Sequence, residues 1–441
     1  MKNHIEIKSL IKPFKEKIEV SADKSISIRS VLLASQAIGK SKIYNLLESE
    51  DVLHSLKAIK KLGINYKKNK NCYEIEGFGI NGFKIEREKN IYAGNSGTLA
   101  RLIAGLLVNA KKKVKITGDE SLSRRDFTRI TEPLKYFGVN IKTKNNGLPL
   151  TIIGSDYLRP INYTENLGSA QCKSSVMFAA IKTSGITKIK AKKSRDHTEL
   201  FFKNLNIPIN ISKKKKYDII RVKGPSNFRG FSYNVPGDIS SCSFLLVLTL
   251  LSKKSEITIK NVNVNRTRIG IIKILNMMKA KIIFKNKKIY RGEEIADIFV
   301  KSKNKLVGVN CPESLNSSAI DEFLVIFLVA AKAKGVSTFR NLGELNKKES
   351  PRLNIALDFL KMIGIKFLRN KDNIKIFGNP NIKLSNKYTV KNFRKDHRIF
   401  MMSCIAALTF GGKWIIHDKN SINTSFPNFL KKIRMLGGKI I

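Results

Sequence analysis

One tryptophan, 11 prolines and 5 cysteines among 441 residues set the first limits on this chain. Cys72, Cys172, Cys242, Cys311 and Cys404 lie far apart, with no Cys-x-x-Cys pair and no Cys/His cluster. Neither a zinc site nor a disulfide framework is indicated, and a reducing cytoplasm suits the chain. Two phosphate-binding signatures are missing as well: there is no Gly-x-x-x-x-Gly-Lys-Ser/Thr loop and no Gly-x-Gly-x-x-Gly after a strand. Long hydrophobic runs are also absent. Phe244 to Leu251 and Phe323 to Ala331 are too short to cross a bilayer. The opening Met1-Lys-Asn-His-Ile-Glu-Ile-Lys8 lacks the apolar centre of a signal peptide. A soluble cytoplasmic protein without a cleaved leader or membrane partner is expected.

Acidic residues are scarce: 34 Asp and Glu face 83 Lys and Arg, a formal charge of +49. Such an excess by itself suggests nucleic acid. Here, however, it is mostly lysine, mixed with abundant Ile and Asn and spread over nearly every segment, as in Lys111-Lys-Lys113 and Lys213 to Lys216. No aromatic residues interleave with it in the manner of a nucleic-acid module. A solvated basic surface and a biased codon usage account for it, and no nucleic-acid partner is expected. With 42% hydrophobic residues the chain can fill sizeable cores, and its length suggests two domains.

What is present is a recurring phrase: the end of an amphipathic helix, a breaker, then an alternating strand. It reads Leu-Gly63-Ile, Phe-Gly138-Val, Leu-Asn206-Ile, Met-Lys279-Ala, Ile-Gly364-Ile and Leu-Gly437-Gly, six copies in all. Residues that tolerate a left-handed helix cap fit this position. The copies recur about every 70 to 85 residues, as a fold of six like units requires. A second phrase, polar and rich in Ser, Gly or Asn, leads into apolar helices at Asp23 to Arg29, Gly94 to Arg101, Gly168 to Ser174 and Pro236 to Ser243. Taken singly each is an ordinary N-cap; together they form a set of anion-ready helix starts. Six units divide into three plus three. Linkers near Val20 to Asp23 and at Pro236-Gly-Asp238 make 22–238 an inserted α/β domain and 1–21 plus 239–441 a discontinuous one, with the two connections as a hinge.

Against so much lysine, arginines beside Gly, Ser or His stand out, because a guanidinium grips carboxylate or phosphate in two-pronged fashion. They are Arg29, Arg101, Arg125, Arg195, Arg352 and Arg398, although a surface ion pair explains any one of them. Two carboxylates, Asp321 and Glu322, interrupt the start of an apolar helix, where burial is costly unless cations or substrate satisfy them. For Glu322, complementing the helix dipole is a sufficient reason.

From about residue 13 to the end, the sequence resembles the 5-enolpyruvylshikimate-3-phosphate synthases. The resemblance rests on Ala22 to Arg29, Gly94 to Thr98, Gly118 to Arg125, Gly168 to Gln171, Ser194 to Glu199, Pro236-Gly-Asp238, Ile320-Asp-Glu322, Lys348 to Arg352, Asp396-His-Arg398 and Thr424 to Pro427, in the family order. It implies an inside-out α/β barrel, two domains of three βαβαββ units each. It also implies transfer of the enolpyruvyl group of phosphoenolpyruvate to the 5-hydroxyl of shikimate 3-phosphate by addition and elimination, within the route to aromatic amino acids, by a monomer that requires no metal and no cofactor. Lys24, Ser25, Arg29, Ser169, Gln171, Arg195, Asp321 and Lys348 are then implied to hold shikimate 3-phosphate. Lys24, Gly97, Arg125, Gln171, Arg352 and Arg398 are implied to hold phosphoenolpyruvate. Asp321 would accept the hydroxyl proton, with Glu349 and Lys24 moving a proton on and off the methylene carbon. His397 would position, and His197 would be structural.

Several positions depart from the family pattern: Pro351 in place of Asp, Asp126 in place of Pro, Leu102 in place of Pro, and Thr424 where one branch has lysine. Affinity and inhibitor response are expected to feel these changes more than reaction type. A sister transferase acting on UDP-N-acetylglucosamine is the alternative of the same chemistry, but Gly118 to Asp126 lacks the loop cysteine typical of it. A basic nucleic-acid-binding protein is the alternative of a different class.

Overall fold

Among the described residues six helices are buried along nearly all of their length, some because they are apolar all round and others with polar residues that find buried partners. We label them α1 (Lys24–Ala34), α2 (Gly97–Leu106), α3 (Ala170–Ala180), α4 (Ile239–Leu251), α5 (Phe323–Lys332) and α6 (His397–Phe410). Every residue of α4 and α6 is buried. Each fully buried Leu, Ile or Phe contributes roughly 1.5–3 kcal/mol relative to exposure. The two apolar runs noted in the sequence are thus core helices, and among the described residues no helix is long and apolar enough to cross a membrane.

The computed structural model describes residues 3–302 and 305–441; the first two residues of the expected 1–21 segment lie outside this range. The chain divides into two compact units. Unit 1 comprises Met1–Ser21, Pro236–Lys288 and Glu294–Ile441; unit 2 comprises Ala22–Val235 and Ile289–Glu293. The inserted segment thus ends at Val235, three residues before the expected 238. The short stretch Ile289–Glu293 groups with unit 2, where the Glu293 carboxylate lies 2.6 Å from His197 Nδ1 and both are buried.

Unit 2 carries three four-stranded sheets with one repeated plan: a parallel pair followed by two antiparallel pairings. In strand order they are Ser232–Asn234, Ile38–Tyr44, Cys72–Phe78, Tyr66–Lys68; Lys89–Tyr92, Val114–Thr117, Gly147–Ile153, Asn140–Lys144; and Asn162–Glu165, Gly185–Lys192, Tyr217–Gly224, Ile209–Lys213. Unit 1 repeats the plan with Lys15–Glu19, Glu256–Asn263, Glu293–Lys301, Ile282–Tyr290. It continues with Gly335–Phe339, Asn373–Gly378, Phe367–Asn370, to which Asn310 adds a parallel bridge at Thr338. In its last sheet Leu384–Val390, Gly411–His417 and His4–Ile7 are joined by the terminal Ile441, whose N–H donates to the Glu6 carbonyl at 3.0 Å.

The six breakers of the sequence phrase all take positive φ: Gly63 87°, Gly138 97°, Asn206 55°, Lys279 64°, Gly364 74° and Gly437 88°. The helix-to-strand reversal therefore recurs six times, even where lysine occupies the left-handed position. In each unit three helices and three sheets make the inside-out arrangement: the helices are buried and the sheets carry the exposed alternate residues.

Candidate active site

In unit 2 the candidate residues gather at helix starts. Asp23 caps α1 by accepting from the Ile26 N–H at 2.9 Å, Ser96 caps α2 through Leu99 at 3.2 Å, and Ser169 caps α3 through Cys172 at 3.3 Å. Caps of this kind satisfy amides that a helix otherwise leaves free, while the dipole favours anions nearby. Lys24, half-buried at the start of α1, donates to Asp51 Oδ2 at 3.0 Å. Arg29, one turn on, is buried, and neutral groups hold it: Nε donates to Thr198 Oγ1 at 2.8 Å, Nη1 to the Ser25 carbonyl at 3.1 Å and Nη2 to Ser174 Oγ at 3.2 Å. Gln171 bridges α2 and α3, donating to Thr98 Oγ1 at 3.0 Å and accepting from Arg101 Nη1 at 2.6 Å.

Gly97 opens α2 beside two cations. A Cβ there would sit 2.8 Å from Arg101 Nη1 and 3.1 Å from Arg125 Nη1, so a side chain would push both guanidinium groups aside. Arg125 donates to Asn95 Oδ1, and Asn95 donates to Asp119 Oδ2 at 2.7 Å. Asp126, in the place of an expected proline, accepts from the Thr128 N–H at 2.8 Å, just ahead of the helix Thr128–Tyr136. Its backbone carbonyl takes Arg101 Nη2 at 3.3 Å. Glu165 shapes the turn before Ser169, accepting from the N–H groups of Leu167 at 2.9 Å and Gly168 at 2.8 Å. Burial raises its carboxyl pKa despite those bonds. Arg195 is half-buried two residues before the helix His197–Asn204, the helix that supplies Thr198 to Arg29.

In unit 1 the candidate residues form an ion network. Asp321 Oδ1 lies 3.3 Å from Arg352 Nη1 and 3.7 Å from Lys348 Nζ, and Oδ2 is 4.0 Å from Arg398 Nη2. Arg398 Nη1 also donates to the Asp321 backbone carbonyl at 2.8 Å. Arg352, only 1% exposed, reaches Glu349 Oε2 at 2.6 Å and Asp396 Oδ2 at 2.9 Å. Burial works against the charge on Arg352, but Asp396, Glu349 and Asp321 outweigh it and raise its pKa. Burial likewise opposes ionisation of Asp396, and Arg352 overcomes it, so that the Asp396 pKa is lowered. Asp396 also caps α6 through the Arg398 N–H at 3.0 Å and accepts from Ser350 Oγ at 2.8 Å. Pro351 stands just before the helix Arg352–Met362, where a missing N–H costs nothing. His397 Nδ1 lies 3.1 Å from Oγ1 of Thr424, the residue that stands where one branch of the family has lysine.

The sequence matches the family model described as EPSP synthase (3-phosphoshikimate 1-carboxyvinyltransferase) over residues 9–433. The chain belongs to the EPSP synthase family. It is therefore a transferase of the shikimate pathway. A curated 3-phosphoshikimate 1-carboxyvinyltransferase of Ruthia magnifica is 39% identical over 428 residues, 96% of this chain and 95% of that protein. One from Zymomonas mobilis is 35% identical over 432 residues, covering 97% and 95%. Among solved structures, an EPSP synthase from Acinetobacter baumannii superposes with a TM-score of 0.86 at 33% identity, over 99% of both chains. An enolpyruvyl transferase from Streptomyces tendae, NikO, shares the fold with a TM-score of 0.75 at 13% identity.

Reading the sequence alone left out Asp51, Arg101's grip on Gln171, Glu165, Ser174, Thr198 and Asp396. Only Asp396 had a local signal, a capping residue directly before His397-Arg398. Asp51, Arg101, Ser174 and Thr198 meet their partners across tens of residues of chain, and Glu165 closes a turn on Leu167 and Gly168.

Proposed function

We propose that the chain joins the enolpyruvyl group of phosphoenolpyruvate to the 5-hydroxyl of shikimate 3-phosphate. In this reading Lys24, Ser25, Arg29, Ser169, Gln171, Arg195, Asp321 and Lys348 bind shikimate 3-phosphate. Lys24, Gly97, Arg125, Gln171, Arg352 and Arg398 bind phosphoenolpyruvate. Asp321 takes the proton of the attacking hydroxyl as its oxygen bonds to the central carbon of phosphoenolpyruvate, and the methylene carbon gains a proton from Lys24 or Glu349. Loss of inorganic phosphate from the tetrahedral adduct, with return of a methyl proton to the same groups, restores the double bond. Positive charge held in place around the developing anions lowers the barrier, and a positioned base typically adds a factor of ~10² to 10⁴.

One observation carries the reading: three cations, Arg352, Lys348 and Arg398, converge on the single carboxylate of Asp321 at 3.3 to 4.0 Å. An anionic ligand on those cations competes with Asp321 for them and leaves it a freer base. We further read the protein as a cytoplasmic monomer that needs no nucleic-acid partner. The test is release of inorganic phosphate by the purified protein. It should require both shikimate 3-phosphate and phosphoenolpyruvate, and UDP-N-acetylglucosamine should not replace the acceptor. Release with UDP-N-acetylglucosamine and phosphoenolpyruvate but not with shikimate 3-phosphate and phosphoenolpyruvate, or none with both substrates, overturns the proposal.

A further inference from the structure

Unit 1 buries a second group of charges that the proposed chemistry does not use. Asp238, Arg268 and Glu322 are 6%, 2% and 1% exposed. Arg268 Nη2 donates to Asp238 Oδ1 at 3.1 Å and to Ser240 Oγ at 2.9 Å, and Ser240 Oγ in turn donates to Glu322 Oε1. Glu322 Oε1 is also 3.9 Å from Arg398 Nη1. Burying charge is costly even when paired, and a well-packed apolar cluster would often be as stable. Such a group therefore asks for a role in placing something.

The neighbour that needs placing is Asp321. It sits in the single turn between Asn316–Ala319 and α5, a turn closed by the Glu322 N–H on the Ala319 carbonyl at 2.9 Å. Three cations pull on the Asp321 side chain, and Arg398 pulls on its carbonyl. Glu322, the next residue, points its carboxylate to Ser240 and is anchored there. The other end of the line is equally fixed. Asp238 caps α4 through the Ser240 N–H at 2.7 Å, and its own N–H donates to the Ser21 carbonyl at 2.9 Å. Ser21 and Pro236 are the residues at which the chain leaves and re-enters unit 1. The line from Asp238 through Arg268 and Ser240 to Glu322 thus runs from those two crossing segments to the turn that presents the base.

We propose that Glu322, anchored by Ser240 and Arg268, is the positioning residue that holds Asp321 against the pull of its surrounding cations; this rests on Asp321 acting as the base. Glu322 touches no reacting atom and acts through its neighbour. A displacement of about 1 Å at a reacting group can cost a hundredfold in rate.

A double-mutant cycle on the full-length protein tests it. Glu322→Leu should lower kcat roughly ten- to a hundredfold with the KM for shikimate 3-phosphate nearly unchanged. Glu322→Gln, which still accepts from Ser240 Oγ, should recover most of the loss. In an Asp321→Asn background, Glu322→Leu should cost nothing further, because residues acting through one group are not additive. Ser240→Ala, a smaller change that folds if Glu322→Leu does not, should lower kcat in the same way and be equally silent with Asp321→Asn. If either variant lowers kcat by the same factor with Asp321 absent, the positioning role is wrong although the base stands. If Asp321→Asn itself retains wild-type kcat, the assignment of the base fails first.

Discussion

Each unit buries an arginine among its candidate residues, and the two arginines sit in contrasting electrostatic settings. In unit 2 a buried arginine, Arg29, is held by two hydroxyls and a backbone carbonyl, and Gln171 by a hydroxyl and a guanidinium. In unit 1 a buried arginine, Arg352, is held by three carboxylates. Hydroxyl and carbonyl partners orient a guanidinium without requiring an anion to be displaced. Carboxylate partners cancel the charge until an anion displaces one of them, and that arrangement suits proton transfer. Unit 2 also buries Lys182 with neutral neighbours: its ammonium donates to the Ile80 carbonyl and lies 5.4 Å from the centre of the Phe83 ring. Burial lowers its pKa to about 7.

The largest expected effect would break the contrast outright if absent. Asp321→Asn should reduce kcat by ~10² to 10⁴ with modest change in either KM, read by steady-state phosphate release. If Lys24→Met or Glu349→Gln alone matched that loss while Asp321→Asn did not, proton transfer would belong elsewhere.

Next in size is stability. Arg352→Met leaves Asp396 buried without its guanidinium and should cost ~3 to 5 kcal/mol. Arg29→Met leaves Thr198 and Ser174 bonded to each other at 2.6 Å and should cost only about 1 to 3 kcal/mol. Chemical denaturation of the two variants compares them, and equal losses would erase the distinction between ionic and neutral settings.

Gly97→Ala should weaken phosphoenolpyruvate binding about tenfold, the loss of one charge-assisted contact of ~1.4 kcal/mol. The atoms a methyl would meet are the mobile ends of Arg101 and Arg125 rather than backbone, so melting temperature should barely move. Titration of the ligand and a thermal melt separate the two outcomes.

The smallest effect concerns pH. The native pKa of Lys182 lies below its ordinary 10.5, so between about 7 and 10.5 the unfolded chain binds the extra proton and stability rises with pH. Lys182→Met should flatten that rise. Stability measured at pH 7 and pH 9 would show a smaller difference in the variant; an unchanged difference would mean that other groups produce it.

Much of the architecture was legible because it rests on local rules. Helix ends at Gly63, Gly138 and Gly437 announce themselves by residue type, and the starts at Asp23, Ser96 and Ser169 by their caps. Lys279 was legible only through the rhythm of its neighbours, since its type does not favour the φ of 64° that it adopts. The candidate site residues were named through family resemblance, and their partners were not. Nothing near Arg268 in the chain predicts Asp238 and Ser240, and Glu322 read alone suggested a dipole contact rather than a buried anchor. Asp126 and Pro351, which looked like irregularities, prove to be a carboxylate bonded to the first residue of a helix and a proline set where its missing N–H is harmless.

The opening strands of unit 1 take partners from far down the chain: Ile7 pairs with Trp414, and Ile18 with Ile259. Unit 2, by contrast, draws all but Ile289–Glu293 from one continuous stretch. On a ribosome adding roughly 5 to 20 residues per second, the segment around Ile7 waits about 20 to 80 s for its partner. Over that interval the nascent chain exposes an unpaired strand edge while unit 2 already has most of its own residues. The order of the strands thus delays completion of unit 1's sheets until late in translation.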